Sequence, residues 1–359
     1  MVNIGIIGVG GIANSTHIPQ ILESNGGQLC AICDIDKKRL RQTGKKYHIP
    51  PELQFENYLD LINCEKVDAV EICTPNYLHV KMAQDAIAAG KAVNVEKPLS
   101  VNFGEASKLN SFAANPTVPN MMCFSYRFMP AVRYAKEILD KGMLGKIISV
   151  NVEYLKSSAF SKDRRLEWRF IKKYAGTGVL GDLGVHLIDM AQLLIGEMKR
   201  VCATCGIVIK ERPKEGSKEL GAVETDDYCN FLVDFENGVT GTFSITRCAI
   251  GHNNTIKYQI FGTKGVISFD LTRTDILQVC LGEIDTESCG MHEIKVPKRF
   301  SISQEQMFID LLNGKECSLL PTIADGLKCQ KILDALLLSS ENKQWVDLIK
   351  TLKKRHPRK

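Results

Sequence analysis

The first third of the chain alternates between continuous apolar stretches and amphipathic ones. Apolar runs typical of strands occur at "NIGIIGVGG", "GGQLCAICDID", "VDAVEICTP", "KAVNVEKP" and "NMMCFSYRF". The stretches between them have helical spacing, as in "NYLHVKMAQDAIAAG", where Gly90 follows the last helical turn. Because strands that are apolar along their whole length need cover on both faces, this pattern predicts a doubly wound parallel sheet over residues 1–122.

The pattern changes to alternating apolar and polar positions in the second part of the chain. "CNFLVDFENGVTGTFSITR" places Asn237-Gly238 between two alternating runs, which is a strong hairpin signal, and "IKYQIFGTKGVISFDL" repeats the arrangement. We therefore expect an α+β domain over residues 123–359, built on an antiparallel sheet and closed by a helix at about 322–340. Its basic end, residues 350–359, is expected to be a frayed tail.

Composition narrows the class of protein. The 359 residues are 44% hydrophobic and 24% charged, which is typical of a globular protein with about two domains. The net charge of +5 is modest, and no basic face carries interleaved aromatic residues, so we expect no nucleic-acid partner. The chain has no secretory pattern and no apolar run of the roughly 20 residues that span a bilayer. We therefore expect a cytoplasmic protein with no membrane contact.

The cysteines do not form a recognisable disulfide or metal pattern. There are 13 of them, without the rhythm of a disulfide scaffold. Cys30 and Cys33, like Cys202 and Cys205, are spaced as CxxC, but their apolar flanks indicate strands. Since a strand directs residues three apart to opposite faces, neither pair is expected to bind metal, and we predict no metal site.

The turn after the first apolar run has the spacing of a dinucleotide-binding loop. Gly8 permits a tight turn, Gly10 lets backbone amides approach a diphosphate, and Ala13 allows close packing of the next helix. Asp34 ends the second apolar run, where a carboxylate binds the adenosine ribose and disfavours a 2′-phosphate. The sequence therefore favours NAD. NADP remains the alternative, because three cations follow Asp34, namely Lys37, Lys38 and Arg39.

Two further strand ends carry polar residues. One is "TPNYLH", with Thr74, Pro75, Asn76 and His79, and the other is "EKP", where Glu96 and Lys97 stop an apolar run abruptly. Carboxyl ends of parallel strands share one edge of the sheet, where ligands bind. We expect these residues to line the cofactor crevice. The predicted cofactor-binding set is Gly8, Gly10, Gly11, Ile12, Asp34, Thr74, Pro75, Asn76, His79, Glu96 and Lys97.

A helical stretch over residues 175–196 carries an unusual polar stripe. Asp182, His186 and Asp189 are spaced i, i+4 and i+7 in "AGTGVLGDLGVHLIDMAQLLIG", so they share one face of an otherwise apolar helix. An imidazole suits the role of the base that removes a proton from a substrate hydroxyl, and a nearby ammonium stabilises the alkoxide charge. Asp182 is placed either to bind substrate or to orient the imidazole, and Asp189 is an alternative for the second role.

Together these motifs resemble the Gfo/Idh/MocA oxidoreductases, a family that includes inositol dehydrogenases and glucose–fructose oxidoreductase. The resemblance runs in order along nearly the whole chain, and the combination of EKP with DxGxHxxD is specific. It implies an N-terminal Rossmann domain and a C-terminal domain with a large open, mainly antiparallel sheet that forms dimers or tetramers. It also implies His186 as general acid/base, assisted by Lys97 and Asp182, acting on a sugar, cyclitol or related polyol.

The substrate is less well determined by the sequence. Tyr126 and Arg127 follow the fifth apolar run, and Trp168 and Arg169 lie on the loop before the polar helix, so these four residues are predicted to bind a polyol. A cluster of Arg164, Arg165 and Arg169 leaves a phosphorylated substrate open. Two other functions on the same fold also remain open, an NAD-dependent glycosidase acting by transient oxidation and an inactive ligand-sensing regulator.

Overall fold

The computed structural model describes residues 1–349 except 162, 283, 284, 286, 288 and 289, so the predicted basic tail at 350–359 lies outside the described residues. The chain forms two compact units. The first comprises Met1–Phe124 with Ile302–Lys328, and the second comprises Ser125–Ser301 with the described residues from 329 to 349. The predicted division at residue 122 differs from this one, because residues 302–328 belong to the first unit.

The strands, in chain order, are β1 Val2–Ile7, β2 Gly27–Cys33, β3 Gln54–Phe55, β4 Ala69–Ile72, β5 Ala92–Val95, β6 Asn120–Met122, β7 Ile147–Leu155, β8 Met198–Gly206, β9 Glu211–Pro213, β10 Leu220–Ala222, β11 Tyr228–Phe235, β12 Thr240–Thr246, β13 Thr255–Gly262, β14 Gly265–Asp270, β15 Ile276–Leu281, β16 His292–Lys295 and β17 Val346–Asp347. The α-helices, in the same order, are α1 Ile18–Glu23, α2 Lys37–Lys46, α3 Tyr58–Ile62, α4 His79–Ala88, α5 Phe103–Ala106, α6 Asn110–Ala114, α7 Pro130–Asp140, α8 Lys172–Ala175, α9 Val185–Leu194, α10 Gln304–Leu312 and α11 Ile323–Asn342.

The first unit is built on a parallel sheet with the order β3-β2-β1-β4-β5-β6. The order reverses between β1 and β4, which is where doubly wound sheets bind their ligands. Strands β4 and β5 are buried at every position, as the continuous apolar runs predicted. The two-residue strand β3 was not predicted, because it is too short to give a periodic signal.

Residues 302–328 join the first unit through specific contacts. Helix α10 packs against α1, and Ile309 fills the space beside Gly27, where an added Cβ would lie 2.7 Å from the Ile309 side chain. The Met122 amide donates to the Pro321 carbonyl at 3.0 Å, which ties this segment to the edge strand β6. Such long-range pairing has no local sequence signal, which explains why the predicted boundary missed it.

The second unit contains a sheet with the order β16-β15-β14-β13-β7-β12-β11-β8-β17. Its pairs are antiparallel except β7 with β12, which run parallel. Burial alternates along β11, β12 and β13, so one face of the sheet packs on the core and the other is open. The predicted fold class, a Rossmann domain followed by a large, mainly antiparallel sheet, is confirmed.

Two helical segments have a wider π turn instead of regular α geometry. Ala13–His17 precedes α1, and Leu180–Gly184 precedes α9. Because the first of these turns ends at His17, Pro19 lies in the first turn of α1, where its missing N–H costs little. No helix among the described residues has the length and apolar character needed to cross a membrane.

Candidate active site

The turn after β1 has the backbone that a dinucleotide-binding loop requires. Gly8 has φ +91°, and a Cβ there would lie 2.8 Å from the Cys73 carbonyl oxygen, so only glycine fits. An added Cβ at Gly10 or Gly11 would meet nothing within 4 Å, and Ile12 is exposed. The main chain of this turn is therefore open to a diphosphate, and these residues fit the cofactor that the sequence predicts.

Asp34 lies at the end of β2, close to this turn. Its carboxylate accepts the Val9 amide at 3.0 Å, and Arg39 donates to both of its oxygens at 3.0 and 3.1 Å. Among the cations that follow Asp34, Lys37 instead pairs with Glu56 at the surface, 2.8 Å away. Arg39 is thus the cation beside the predicted ribose site. Its charge is partly neutralised by Asp34, which agrees with a site built for NAD.

His79 connects two of the predicted crevice segments. Its ring nitrogens lie 2.8 Å from the Pro98 carbonyl oxygen and 2.8 Å from that of Thr74, and the side chain is fully buried. Burial lowers the pKa of His79, and the two carbonyl acceptors oppose that shift. Because the ring has no accessible surface, the expected direct contact between His79 and the cofactor does not fit the structure. We expect His79 to hold the main chain of the two segments instead.

Glu96 is held by a buried histidine that the sequence analysis did not single out. His17 Nε2 lies 2.9 Å from Glu96, and the other Glu96 oxygen accepts the backbone amide of Lys97 at 3.0 Å. His17 Nδ1 lies 2.7 Å from Glu305 and 3.2 Å from Glu71. His17, Glu71 and Glu305 are buried to 1% exposure or less. Glu96, the first residue of the EKP segment, is therefore held by a cluster of side chains that share protons and are shielded from solvent.

The pKa values of two carboxylates in this cluster, Glu71 and Glu96, are shifted in opposite directions. Burial raises the pKa of Glu71 to about 8, with the Glu305 carboxylate adding to the effect. Burial opposes ionisation of Glu96, but the hydrogen bond from His17 outweighs it and lowers the pKa to about 2. Donor atoms of His17, Glu71 and Cys73 lie within 4.8 Å of one another, a distance that suits a metal ion. Hydrogen bonds already engage both His17 nitrogens, so shared protons account for the cluster.

In the second unit, a glycine-rich turn fixes the start of the polar helix. The Gly178 and Leu180 amides donate to the two Asp226 carboxylate oxygens at 2.6 and 2.9 Å. A Cβ at Gly178 would collide with the Asp226 main chain, which explains the glycine. Asp182 then lies in the π turn, and His186 follows in the first turn of α9, with 6% of its surface exposed.

The polar stripe separates into two environments. The Tyr126 ring packs against the His186 imidazole with the ring centroids 4.4 Å apart. Asp189, one turn further along α9, is buried and accepts two hydrogen bonds from Arg127, at 2.7 and 2.6 Å. Arg127 and Asp189 thus form a buried ion pair, which we expect to anchor α9. Substrate binding by Arg127 and orientation of His186 by Asp189 stay predictions.

The arginines before the polar helix are also largely engaged. Arg164 donates to Glu167 at 3.2 and 3.1 Å, and Arg165 donates to main-chain carbonyls at 2.6 and 3.3 Å. The guanidinium of Arg169 lies over the Trp168 ring, 4.5 Å from its centroid. Of the predicted phosphate-binding cluster, Arg169 is thus the member held by an aromatic face instead of by an acid or a carbonyl.

The structure brings the predicted residues together in two sets. The first unit gathers the glycine turn, Asp34, the Thr74–His79 segment and Glu96-Lys97. The second unit brings Tyr126 against His186, with Asp182 in the preceding turn, and it also contains the Trp168-Arg169 loop. The sequence analysis missed His17, Glu71 and Glu305, although an acid inside the fully apolar run "VDAVEICTP" was a signal that a buried partner must exist.

Both units match family models. Residues 2–122 match the oxidoreductase family with an NAD-binding Rossmann fold, and residues 132–268 match the Gfo/Idh/MocA C-terminal domain. The chain belongs to the Gfo/Idh/MocA family. It is therefore an NAD-dependent oxidoreductase, and the resemblance seen in its motifs is confirmed.

Named relatives extend the comparison. The chain is 32% identical over 330 residues to levoglucosan dehydrogenase of Pseudarthrobacter phenanthrenivorans, covering 82% of this chain and 84% of the relative. It is 26% identical over 353 residues to glucose-6-phosphate 3-dehydrogenase of Bacillus subtilis, covering 96% of this chain and 98% of the relative. A structure of levoglucosan dehydrogenase with NADH and levoglucosan superposes with a TM-score of 0.87 at 29% identity, over 97% of this chain and 99% of the other.

Proposed function

We propose that this enzyme oxidises a secondary hydroxyl of a neutral sugar or sugar derivative to the ketone, and catalyses the reverse reduction. The Gly8–Ile12 turn and Asp34 would hold NAD, which would supply the hydride acceptor. His186 removes the proton from the substrate hydroxyl oxygen through an imidazole nitrogen, and returns it in the reverse direction. The Lys97 ammonium stabilises the negative charge that develops on that oxygen, and Asp182 orients the reacting group.

The environment of His186 carries the proposal. The imidazole is almost buried against the Tyr126 ring, and it lies in the first turn of a mostly apolar helix, directly after the π turn that contains Asp182. A histidine with only a packing role does not need polar neighbours of this kind. The backbone of Lys97 is likewise fixed by Glu96 and His17, which restricts where its ammonium group can reach.

A neutral substrate is favoured over a phosphorylated one by the arginine contacts. Arg164 is neutralised by Glu167, and Arg165 is occupied by main-chain carbonyls, so a phosphate would have to displace existing hydrogen bonds. The chain is also more similar to levoglucosan dehydrogenase, at 32% identity, than to glucose-6-phosphate 3-dehydrogenase, at 26%. Trp168 offers an aromatic face of the kind that packs on a sugar ring.

The test is a substrate panel followed by reduced-nicotinamide absorbance. Levoglucosan, common aldoses and inositols are assayed with NAD and with NADP, and each available 6-phosphate is assayed beside its parent sugar. We expect turnover with a neutral sugar and NAD, and kcat/KM for the 6-phosphate at least about tenfold lower, because a phosphate would have to displace the existing hydrogen bonds of Arg164 and Arg165. Turnover restricted to phosphorylated sugars would refute the substrate class, and no turnover with any polyol would refute the reaction.

A further inference from the structure

Three polar side chains in the second unit form a closed ring of hydrogen bonds beside His186. Tyr126 Oη lies 2.7 Å from Tyr154 Oη, Tyr154 donates to Asn254 Oδ1 at 2.9 Å, and Asn254 Nδ2 donates to Tyr126 Oη at 3.4 Å. Tyr154 is almost fully buried, near the end of β7, and Asn254 is exposed, directly before β13. Neither Tyr154 nor Asn254 was singled out by the sequence.

The ring uses the Tyr126 proton internally, whichever way its hydrogen bonds run. The single Tyr154 proton goes to the Asn254 carbonyl oxygen, so the short bond between the hydroxyls must use the proton of Tyr126. Rotating the Asn254 amide by half a turn would reverse the ring, and Tyr126 would then donate to Asn254. In either direction the Tyr126 proton is used inside the ring, and its oxygen is left as an acceptor for any further group.

The hydrogen-bonded ring also lies next to His186, the proposed general acid/base. The Tyr126 ring packs on the His186 imidazole, 4.4 Å between centroids. Burial raises the pKa of Tyr154, and the neighbouring Tyr126 and Asp182 add to that effect, so the phenol stays protonated and the ring stays intact. The hydrogen-bonded ring thus holds Tyr126 against His186, the proposed general base.

We propose that Tyr154 and Asn254 are positioning residues that make Tyr126 a pure hydrogen-bond acceptor, which selects a substrate with a second hydroxyl beside the one that is oxidised. A substrate hydroxyl can donate to the Tyr126 oxygen, whereas a methoxy group or a ketone at that position cannot. A polar group that is built to receive a hydrogen bond rejects analogues that lack the donor. This inference rests on the proposed dehydrogenase function.

The experiment compares the kcat/KM of the best neutral sugar with that of its O-methyl analogue at the neighbouring hydroxyl. Wild-type enzyme is expected to prefer the free hydroxyl by about tenfold or more. Asn254→Leu leaves two tyrosines, either of which can donate, so the Tyr126 proton becomes available and the preference should fall at least about fivefold. Asn254→Asp provides a carboxylate that accepts from both tyrosines, so it should retain the wild-type preference even if its rate is lower.

Tyr154→Phe and the control Tyr134→Phe complete the set. Tyr154→Phe breaks the hydrogen-bonded ring and should also reduce the preference for the free hydroxyl. Tyr134 packs on Phe300 and is not part of the hydrogen-bonded ring, so Tyr134→Phe should retain the wild-type preference. A merely structural role for Asn254 would affect both analogues equally and would not separate Asn254→Leu from Asn254→Asp. Equal preference in wild type and Asn254→Leu would overturn the positioning role alone, whereas a wild type inactive with every polyol would overturn the dehydrogenase function as well.

Discussion

At the scale of single residues, we expect Asp34 and Arg39 to determine whether NAD or NADP is preferred. The carboxylate holds the glycine turn through the Val9 amide and also holds the Arg39 guanidinium. Asp34→Ser removes the charge that repels a 2′-phosphate and releases Arg39 to bind one, so the Kd for NADPH should fall and that for NADH should rise, each by about tenfold. Titration of protein fluorescence with each cofactor measures both constants.

Lys37→Ser is the matched control for this change, because Lys37 follows the same strand but pairs with Glu56 at the surface. It should leave the ratio of the two constants close to that of wild type. An unaltered ratio in Asp34→Ser would show that the carboxylate does not discriminate between the cofactors.

Single residues were predicted best where the motif itself defines a backbone or charge requirement. Gly8 needed a positive φ and has it, and Asp34 lies where the ribose acid was expected. Arg127, Asp189 and His79 were placed near the site, but their partners were not predictable. Arg127 and Asp189 are engaged with each other across 62 residues, and His79 also contacts the Pro98 carbonyl, so a local residue pattern carries no information on these partners.

At the scale of elements, the turn before α9 depends on close contact between Gly178 and Asp226. Gly178→Ala introduces a Cβ that collides with the Asp226 main chain, which cannot move aside as a flexible side chain would. We expect a loss of about 1–3 kcal/mol in the free energy of unfolding, measured by urea denaturation, together with a lower kcat because Asp182 and His186 shift.

Gly104→Ala serves as the control, since its new Cβ would meet only the end of the Asn102 side chain, 3.2 Å away. Its stability and turnover should stay near those of wild type. A Gly178→Ala protein as stable and active as this control would contradict the role assigned to the turn.

Periodicity predicted most elements but not their exceptions. The alternating runs of β11 to β13 and the buried runs of β4 and β5 were recognisable, and the hairpin at Asn237-Gly238 is present between β11 and β12. The π turns at 13–17 and 180–184 were not predicted, because their residues are equally compatible with an α-helix. The i, i+4, i+7 stripe therefore does not lie on one regular helix, because Asp182 is in the π turn whereas His186 and Asp189 are in α9.

At the scale of the whole molecule, the buried cluster around His17 should make stability depend on pH. The folded-state pKa of Glu71 is about 8 against an ordinary 4.5, so the folded protein holds this proton more tightly than the unfolded chain. Its contribution is fully present below about pH 4.5 and is lost as the pH rises through about 8. The raised pKa of His17 acts in the same direction.

Glu71→Gln cannot ionise and should remove the Glu71 part of this dependence. Urea denaturation from about pH 5 to about pH 8 should show a larger loss of stability in wild type than in the variant. Glu105→Gln, an exposed acid paired with Lys108, is the control and should follow wild type. Parallel curves for wild type and Glu71→Gln would contradict the shared-proton description of the cluster.

Whole-molecule organisation was predicted in outline, since an N-terminal dinucleotide-binding sheet followed by a larger antiparallel sheet could be read from the pattern. The assignment of residues 302–328 could not, because it depends on contacts such as Ile309 beside Gly27. Assembly into dimers or tetramers through the open face of the second sheet stays a prediction.

The central claim is that Lys97 and His186 act on the same hydroxyl in one reaction. The most direct measurement is kcat for Lys97→Met, His186→Asn and the double variant, with NADH affinity checked by titration. Each single change should lower kcat by about 10²-fold or more with NADH binding retained, and the double variant should lose little beyond the worse single change. Near-normal turnover in either single variant, or losses that multiply in the double variant, would contradict the account.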